Sequence, residues 1–141
     1  MHRLTRDEML MNMALLASER STCSRLHVGA IAASSGRVLS TGYNGAPTGL
    51  PHCDHTQDDG PCQAATHAEA NVIAFAARHG VSLRGADMYV THAPCVSCAH
   101  LIINAGISIV FYANPFRDRA GIELLHRAHV GIVHMKEFQT A

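Results

Sequence analysis

A chain of 141 residues has room for one compact domain over residues 1–141, and 48% hydrophobic content builds a core without disulfide staples, which excludes a multidomain machine. Eleven Lys and Arg balance eleven Asp and Glu, so no basic field exists to hold a polynucleotide, while a charged fraction of only 16% leaves little self-repulsion to oppose oligomer formation. Eleven His and an odd five Cys stand out, and together they favour metal ligation over a disulfide framework.

In chain order, Thr5 followed by Glu8 makes a capping-box pattern, and Met9, Met13, Leu16 and Ala17 recur at helical spacing. An amphipathic helix is predicted over 5–19. Apolar runs at 28–33 and 38–43, joined by Ser34-Ser35-Gly36-Arg37, predict a β-hairpin. Residues 44–65 are rich in Gly, Pro, Asp and Cys and have no period, so they read as a long loop, of the kind that is functional or tethered. An Ala-rich helix is predicted over 66–79, with Val72, Ile73, Phe75 and Ala76 as its apolar stripe and Gly80 at the C′ position. A strand at 87–91, a helix at 94–105 opened by Pro94 and closed by Gly106, a strand at 107–112, a helix at 122–128 and a strand at 131–134 follow. After the hairpin the order is α-β-α-β-α-β, which predicts a largely parallel central sheet with helices on both faces. The first eight residues carry His, two Arg, Asp and Glu with no apolar stretch, and no apolar run approaches the roughly 18 residues of a membrane-spanning helix. A soluble, cytoplasmic protein with reduced thiols and no membrane partner is the expectation.

His67-Ala68-Glu69 opens one predicted helix and Pro94-Cys95-Val96-Ser97-Cys98 the next. Cysteines three apart lie on one helical face, the bite that tetrahedral Zn²⁺ requires, and a helix's first turn favours thiolate over thiol. With His67 as third ligand, a fourth position stays open for water, which marks a catalytic rather than a structural zinc. Glu69 is not needed as a ligand and can shuttle protons beside the metal. Residues two apart do not share a helical face, so His67 belongs at the helix start and Glu69 one step inside. A lone Cys-x-x-Cys is more often a zinc knuckle or a redox pair, but a redox pair has no use for an upstream His-x-Glu, and finding the two patterns at successive helix starts separated by a strand removes most of the simpler reading. The combination is the signature of zinc nucleobase deaminases.

Four stretches extend this match: Ser21-Thr22-Cys23-Ser24-Arg25 running into Val28-Gly29-Ala30; Thr41-Gly42-Tyr43-Asn44-Gly45-Ala46-Pro47-Thr48-Gly49; His67-Ala68-Glu69-Ala70-Asn71; and Tyr89-Val90-Thr91 leading to Pro94-Cys95-Val96-Ser97-Cys98. On these residues the chain resembles the cytidine deaminase superfamily and, within it, the deoxycytidylate (dCMP) deaminases of bacteria and phages. The resemblance implies an α/β fold, a three-layer α/β/α sandwich around a five-stranded mixed sheet. It implies zinc-dependent hydrolytic deamination of dCMP to dUMP and ammonia, feeding thymidylate synthesis, with activated water attacking C4 and Glu69 carrying protons through N3 to the departing ammonia. It further implies that Asn44 holds the deoxyribose hydroxyl, the Ala68 N–H binds the base and Arg25 binds the phosphate. Phe116, in Asn114-Pro115-Phe116-Arg117-Asp118, stands where the family commonly has Tyr; it can stack on a base or sugar but offers a phosphate no hydroxyl. Either Arg117 substitutes, or the substrate is a modified cytosine nucleotide. Deamination of a free nucleoside or nucleobase, and a non-catalytic zinc-stabilised module, are the competing readings.

Some deaminases that this chain resembles bind a second, structural zinc, which here implies Cys23, Cys53, Cys62 and either His52 or His55 as ligands; the alternative is three free thiols. Many are homo-oligomers regulated by dCTP and dTTP with Mg²⁺. The resemblance then places the triphosphate against the 42–49 loop, with Gly42, Gly45 and Arg78 at the effector site or subunit contact.

Overall fold

The computed structural model describes residues 1–55 and 62–140; residues 56–61 of the predicted loop, and Ala141, lie outside the described residues. Its elements are α1 (Arg6–Ser18), β1 (Gly29–Ser34), β2 (Arg37–Tyr43), α2 (Ala68–Arg78), β3 (Asp87–His92), α3 (Val96–Ala105), β4 (Ile109–Asn114), α4 (Ala120–Arg127) and β5 (Gly131–His134). A single 3₁₀ turn, Lys136–Phe138, follows and has no counterpart in the sequence expectations.

Local chemistry sets these boundaries. The Thr5 hydroxyl accepts the Glu8 N–H at 3.1 Å while the Glu8 carboxylate reaches back to the Thr5 N–H, so α1 opens on a complete capping box. Gly80 and Gly106 hold φ of +68° and +83° at the ends of α2 and α3, the left-handed turn that glycine adopts without strain. Both helices begin two residues later than expected, because His67 and Cys95 have extended backbones and serve as N-caps. Strand β4 likewise begins two residues late: Ile107 N–H is spent on the Ile102 carbonyl and Ser108 N–H on Ala86, so both belong to the turn out of α3.

The five strands lie in the order β2-β1-β3-β4-β5. Strand β1 is antiparallel to both β2 and β3, whereas β3, β4 and β5 run parallel. The sheet is mixed, with half its pairings antiparallel rather than a largely parallel set, because the hairpin's inner strand inserts directly beside β3. Alternation along the strands sends Met88 and Val90 of β3 and Val110 and Tyr112 of β4 to one face, where they pack with Val72, Ile102, Ile122 and Leu125 from α2, α3 and α4. Tyr89, Phe111 and Ala113 point to the other face and meet Leu10, Met11 and Ala14 of α1. Three helices, a sheet and one helix make the three-layer α/β/α sandwich. Tyr89 stacks on Phe111 with ring centroids 4.4 Å apart and donates its hydroxyl to the Asp7 carboxylate at 2.5 Å, tying the first turn of α1 to the sheet.

The buried face of α1 matches the predicted one only in part: Met13 and Ala17 are half-buried against the core beneath the helix. Leu10, Met11, Ala14 and Ser18 are buried, while Met9 is exposed and Leu16 is 72% exposed. Apolar residues run almost all round this helix, so spacing alone does not choose a face. In α2, Val72 and Ala76 are buried, whereas Phe75 of the expected stripe is exposed. Among the described residues no helix is long and apolar enough to cross a membrane.

Candidate active site

Two helix starts meet at the carboxyl ends of β3 and β4, the usual place for a site in an α/β sheet. The start of α2 is held by the loop after β2. Gly45 and Thr66 exchange backbone hydrogen bonds of 3.1 and 2.7 Å, and the Asn71 amide donates to the Tyr43 carbonyl at 2.8 Å. Gly42 lets α2 approach: a Cβ there would lie 2.6 Å from the Ala68 carbonyl oxygen and 2.9 Å from the Val72 nitrogen. The start of α3 is tied to β4 by the Ala93 N–H, which donates to the Asn114 carbonyl at 2.9 Å. Gly121 of α4 packs against the same turn.

These constraints bring His67, the N-cap of α2, to Cys95, the N-cap of α3, and Cys98 in its first turn. His67 Nδ1 lies 3.5 Å from the Cys95 sulfur and 3.4 Å from that of Cys98, and the three donor atoms all fall within 4.8 Å of one another. With Zn–S and Zn–N bonds of about 2.3 and 2.05 Å, the N···S edge of a tetrahedron is about 3.6 Å. The donor set therefore fits a zinc ion with a fourth position left over. A hydrogen bond with Cys98, then one with His67, holds the Cys95 thiol far down at about 3 against the opposing effect of burial, and Cys98 is driven upward by the same contact and by burial. Sulfurs this close share one proton between themselves, and a dication between them favours both as thiolates.

Glu69, the second residue of α2, is 4% exposed. Burial pushes its carboxyl up to about 7, against the lowering effects of its own backbone N–H and of His67. It lines a cavity of about 360 Å³ together with Ala68, Asn44, Arg25 and Phe116, and with His67 and Cys95 from the metal-donor set. Ala68 is the first residue of α2, so its N–H has no partner within the helix. The Asn44 side chain is engaged with the chain itself: its amide donates to the Leu26 carbonyl at 2.7 Å and accepts the Val28 N–H at 2.9 Å, bracing the 26–28 turn that walls the cavity. Phe116 is 44% exposed at the rim.

A second donor cluster adjoins this cavity. Cys23, Cys53, His55 and Cys62 place one donor atom each within 4.8 Å of one another, with the Cys23 sulfur 3.5 Å from His55 Nε2. Of the two histidines left open by the sequence, His55 is at the cluster, whereas His52 lines a different cleft. Burial alone would raise the Cys23 thiol, but the backbone N–H groups of Leu26 and Arg25, then His55 and Cys53, outweigh it and lower the thiol to about 7; burial, then Cys23 and Cys62, raise Cys53 to about 11. Three sulfurs and one imidazole complete a tetrahedron, the closed coordination of structural zinc. Cys23 and Cys62 also line the cavity.

Arg78, Gly42 and Gly45 stand apart, on a cleft of about 1180 Å³ that His52 and residues 46–50 also line. Both glycines are buried: Gly42 against α2, Gly45 with its absent Cβ 2.7 Å from the Thr22 hydroxyl. Packing by itself accounts for glycine at these two positions. His92, which no sequence motif singled out, is half-buried in the cavity wall, and burial lowers its pKa. Its only signal in the sequence is its place between the β3 run and Pro94.

Residues 4–114 match the family described as the cytidine and deoxycytidylate deaminase zinc-binding region. The chain is 39% identical over 136 residues to ComE operon protein 2 of Bacillus subtilis (strain 168), covering 94% of this chain and 72% of that protein. It is 30% identical over 180 residues to the deoxycytidylate deaminase of Enterobacteria phage T2, covering 92% and 96%. The crystal structure of dCMP deaminase from the cyanophage S-TIM5, in complex with dCMP and dUMP, superposes with a TM-score of 0.88 at 34% identity, over 95% of this chain and 100% of that one.

Proposed function

This chain belongs to the cytidine and deoxycytidylate deaminase family, and from that premise we propose that it is a zinc-dependent hydrolase converting dCMP to dUMP and ammonia, supplying dUMP for thymidylate synthesis. The observation that carries the reading is a buried carboxyl, Glu69, sharing one nucleotide-sized cavity with a three-donor metal site that leaves a position open.

His67, Cys95 and Cys98 would hold the ion, which when bound supplies the Lewis acidity that makes water nucleophilic near neutral pH. Glu69 takes the proton released by the attacking water, delivers it to ring N3, and transfers the second proton to the leaving amine as the C4–N bond breaks and a C4 carbonyl forms. A carboxyl poised near 7 suits both accepting and returning a proton. The Ala68 N–H binds the base at the start of α2, Asn44 fixes the wall on which the sugar rests, and the Arg25 guanidinium takes the phosphate with its planar fork. Phe116 covers the base or sugar with its ring.

The second cluster, Cys23, Cys53, His55 and Cys62, holds a structural zinc that orders a loop with no core of its own. Reduced thiols at both clusters suit a cytoplasmic setting. The cleft beside Arg78 takes a dCTP or dTTP effector with Mg²⁺ or a neighbouring subunit of a homo-oligomer.

The test is a substrate panel of dCMP, 5-substituted dCMP, deoxycytidine, dCTP and cytosine, followed by the ultraviolet change on loss of the amino group. Turnover of dCMP is expected to dominate. Activity confined to unphosphorylated compounds would remove the reading. Glu69→Ala should lose turnover while retaining zinc, and a wild-type protein that binds zinc yet turns over no member of the panel would favour a non-catalytic zinc module instead.

A further inference from the structure

His92 ends β3 on the strand face that carries Val90, and its imidazole lines the same cavity as Glu69 and Phe116. Its Nδ1 lies 2.8 Å from the Thr91 hydroxyl oxygen. That oxygen also accepts the Gly29 N–H at 3.2 Å, and Thr91 is 1% exposed, so the hydroxyl proton has to be spent inside the protein. Nδ1 of His92 is the acceptor beside it. Thr91 thereby donates to Nδ1, and the neutral imidazole carries its own proton on Nε2, as an N–H for which the described residues supply no partner.

The other polar groups in the cavity wall have assignments. His67 and Cys95 belong to one donor set, and Cys23 and Cys62 to the other. The Asn44 amide is engaged with Leu26 and Val28. Glu69 moves protons, and Arg25 brings a full positive charge suited to an anion. A pyrimidine deoxynucleotide also presents uncharged oxygens, the ring carbonyl and the sugar hydroxyl, and a neutral N–H in the cavity wall matches those.

We propose that His92 is a substrate-positioning residue, whose Nε2–H, oriented by the Thr91 hydroxyl, donates a hydrogen bond to an uncharged oxygen of the nucleoside part of the bound nucleotide. This deepens the reading of the cavity as a deoxycytidylate site and rests on it. Burial keeps the imidazole neutral near pH 7, in line with a donor that adds no charge beside Arg25 and the metal site.

The experiment compares His92→Leu, which keeps bulk and removes the donor, with His92→Gln, whose amide N–H restores one. The measurements, on zinc-loaded protein, are kcat and KM for dCMP, and affinity for dUMP and deoxyuridine as product ligands. His92→Leu is expected to raise KM for dCMP and weaken dUMP about tenfold, with kcat changed less than about threefold. Deoxyuridine should weaken by the same factor as dUMP, and His92→Gln should recover most of the loss. Thermal unfolding and zinc content serve as structural readouts and should stay at wild-type values. Unchanged affinities in His92→Leu would overturn the proposal, as would a loss confined to dUMP, which would move the donor to the phosphate. A loss accompanied by lower melting temperature and no rescue by Gln would reduce His92 to a packing role. Failure of the wild-type protein to act on dCMP is a separate outcome, which removes the functional reading itself.

Discussion

Replacing Gly121 by Ala should damage the metal site through the backbone, without touching a donor atom. Gly121 is the second residue of α4, and a Cβ there would lie 2.1 Å from the Pro94 carbonyl oxygen, 2.8 Å from the Cys95 carbonyl carbon and 3.0 Å from the Cys95 oxygen. All three are backbone atoms, so no side chain can swing aside. Reaching ordinary contact near 3.4 Å requires about 1.3 Å of movement by α4 or by the start of α3. If α4 yields, Ile122 and Leu125, 7% and 0% exposed, lose their seats in the core, and overpacking of this kind costs about 1–3 kcal/mol. With an unfolding entropy of about 2.1 cal/mol/K per residue, that lowers the melting temperature by roughly 3–10 °C for a chain of this length. If α3 yields, the Cys95 sulfur leaves its place beside His67 by far more than the roughly 0.2 Å that a zinc site tolerates, and zinc affinity falls instead. Thermal unfolding and chelator competition for zinc, measured on the same preparation, capture both routes. Gly131→Ala is the control, because its nearest neighbour is the Ile109 side chain at 3.0 Å, which can rotate. A Gly121→Ala protein that melts within 1 °C of wild type, or about that, and holds zinc with unchanged affinity would refute the reasoning.

Three further outcomes follow from the geometry. Glu69→Gln, which preserves shape and removes the proton acceptor, should lower kcat by about 10²–10⁴ while elemental analysis finds the zinc content unchanged. Cys62→Ser should reduce bound zinc by one equivalent per chain and raise KM, since Cys62 belongs to the four-donor cluster and also lines the cavity; unchanged stoichiometry would dismiss that cluster as a metal site. Thr5→Ala removes the hydroxyl of the capping box on α1 and should cost about 1 kcal/mol in denaturant unfolding, with turnover unaffected because α1 lies on the face of the sheet away from the site.

What the sequence makes legible is what local chemistry determines. The Thr5–Glu8 box, the glycines ending α2 and α3, and the Cys95–Cys98 spacing each act within one helical turn, and a local pattern suffices to find them. The face that α1 buries is a different matter. With Met9, Leu10, Met11, Met13, Leu15 and Leu16 spread around the helix, the choice of Leu10, Met11 and Ala14 is made by the sheet, where Ile31, Tyr89 and Phe111 await them. Strand pairing is equally non-local: nothing within residues 29–34 tells β1 to lie antiparallel to β3. The choice between His52 and His55 depends on how the loop folds back on Cys23, and His92 acquires its place only because β3 ends at the cavity wall. Gly42 and Gly45 are a similar case, because the close approach of α2 and of Thr22, which accounts for glycine at both positions, is invisible in the local sequence.

The cavity has the unusual property that donor residues from both clusters form its walls. His67 and Cys95 contribute on one side, Cys23 and Cys62 on the other, and between them lie Glu69 and Ala68 at the start of α2. The 26–28 turn adjoins Cys23 and is braced by Asn44, so the segment carrying Arg25 is fixed at one end by a cysteine of the four-donor cluster and at the other by the amide of Asn44. A ligand-binding wall built this way has little apolar burial of its own: Arg25 and Leu26 are exposed, and among the described residues of the 44–65 loop only the first two are buried. Its order must come from donor contacts and hydrogen bonds rather than from the core. Metal binding to such a wall is linked to folding of the wall, and by the same linkage substrate and metal strengthen each other's hold. The sandwich beneath, with its continuous core of β3, β4 and the helices, can remain folded when the wall loosens, so loss of the second cluster should be felt first in substrate affinity and only afterwards in the stability of the domain.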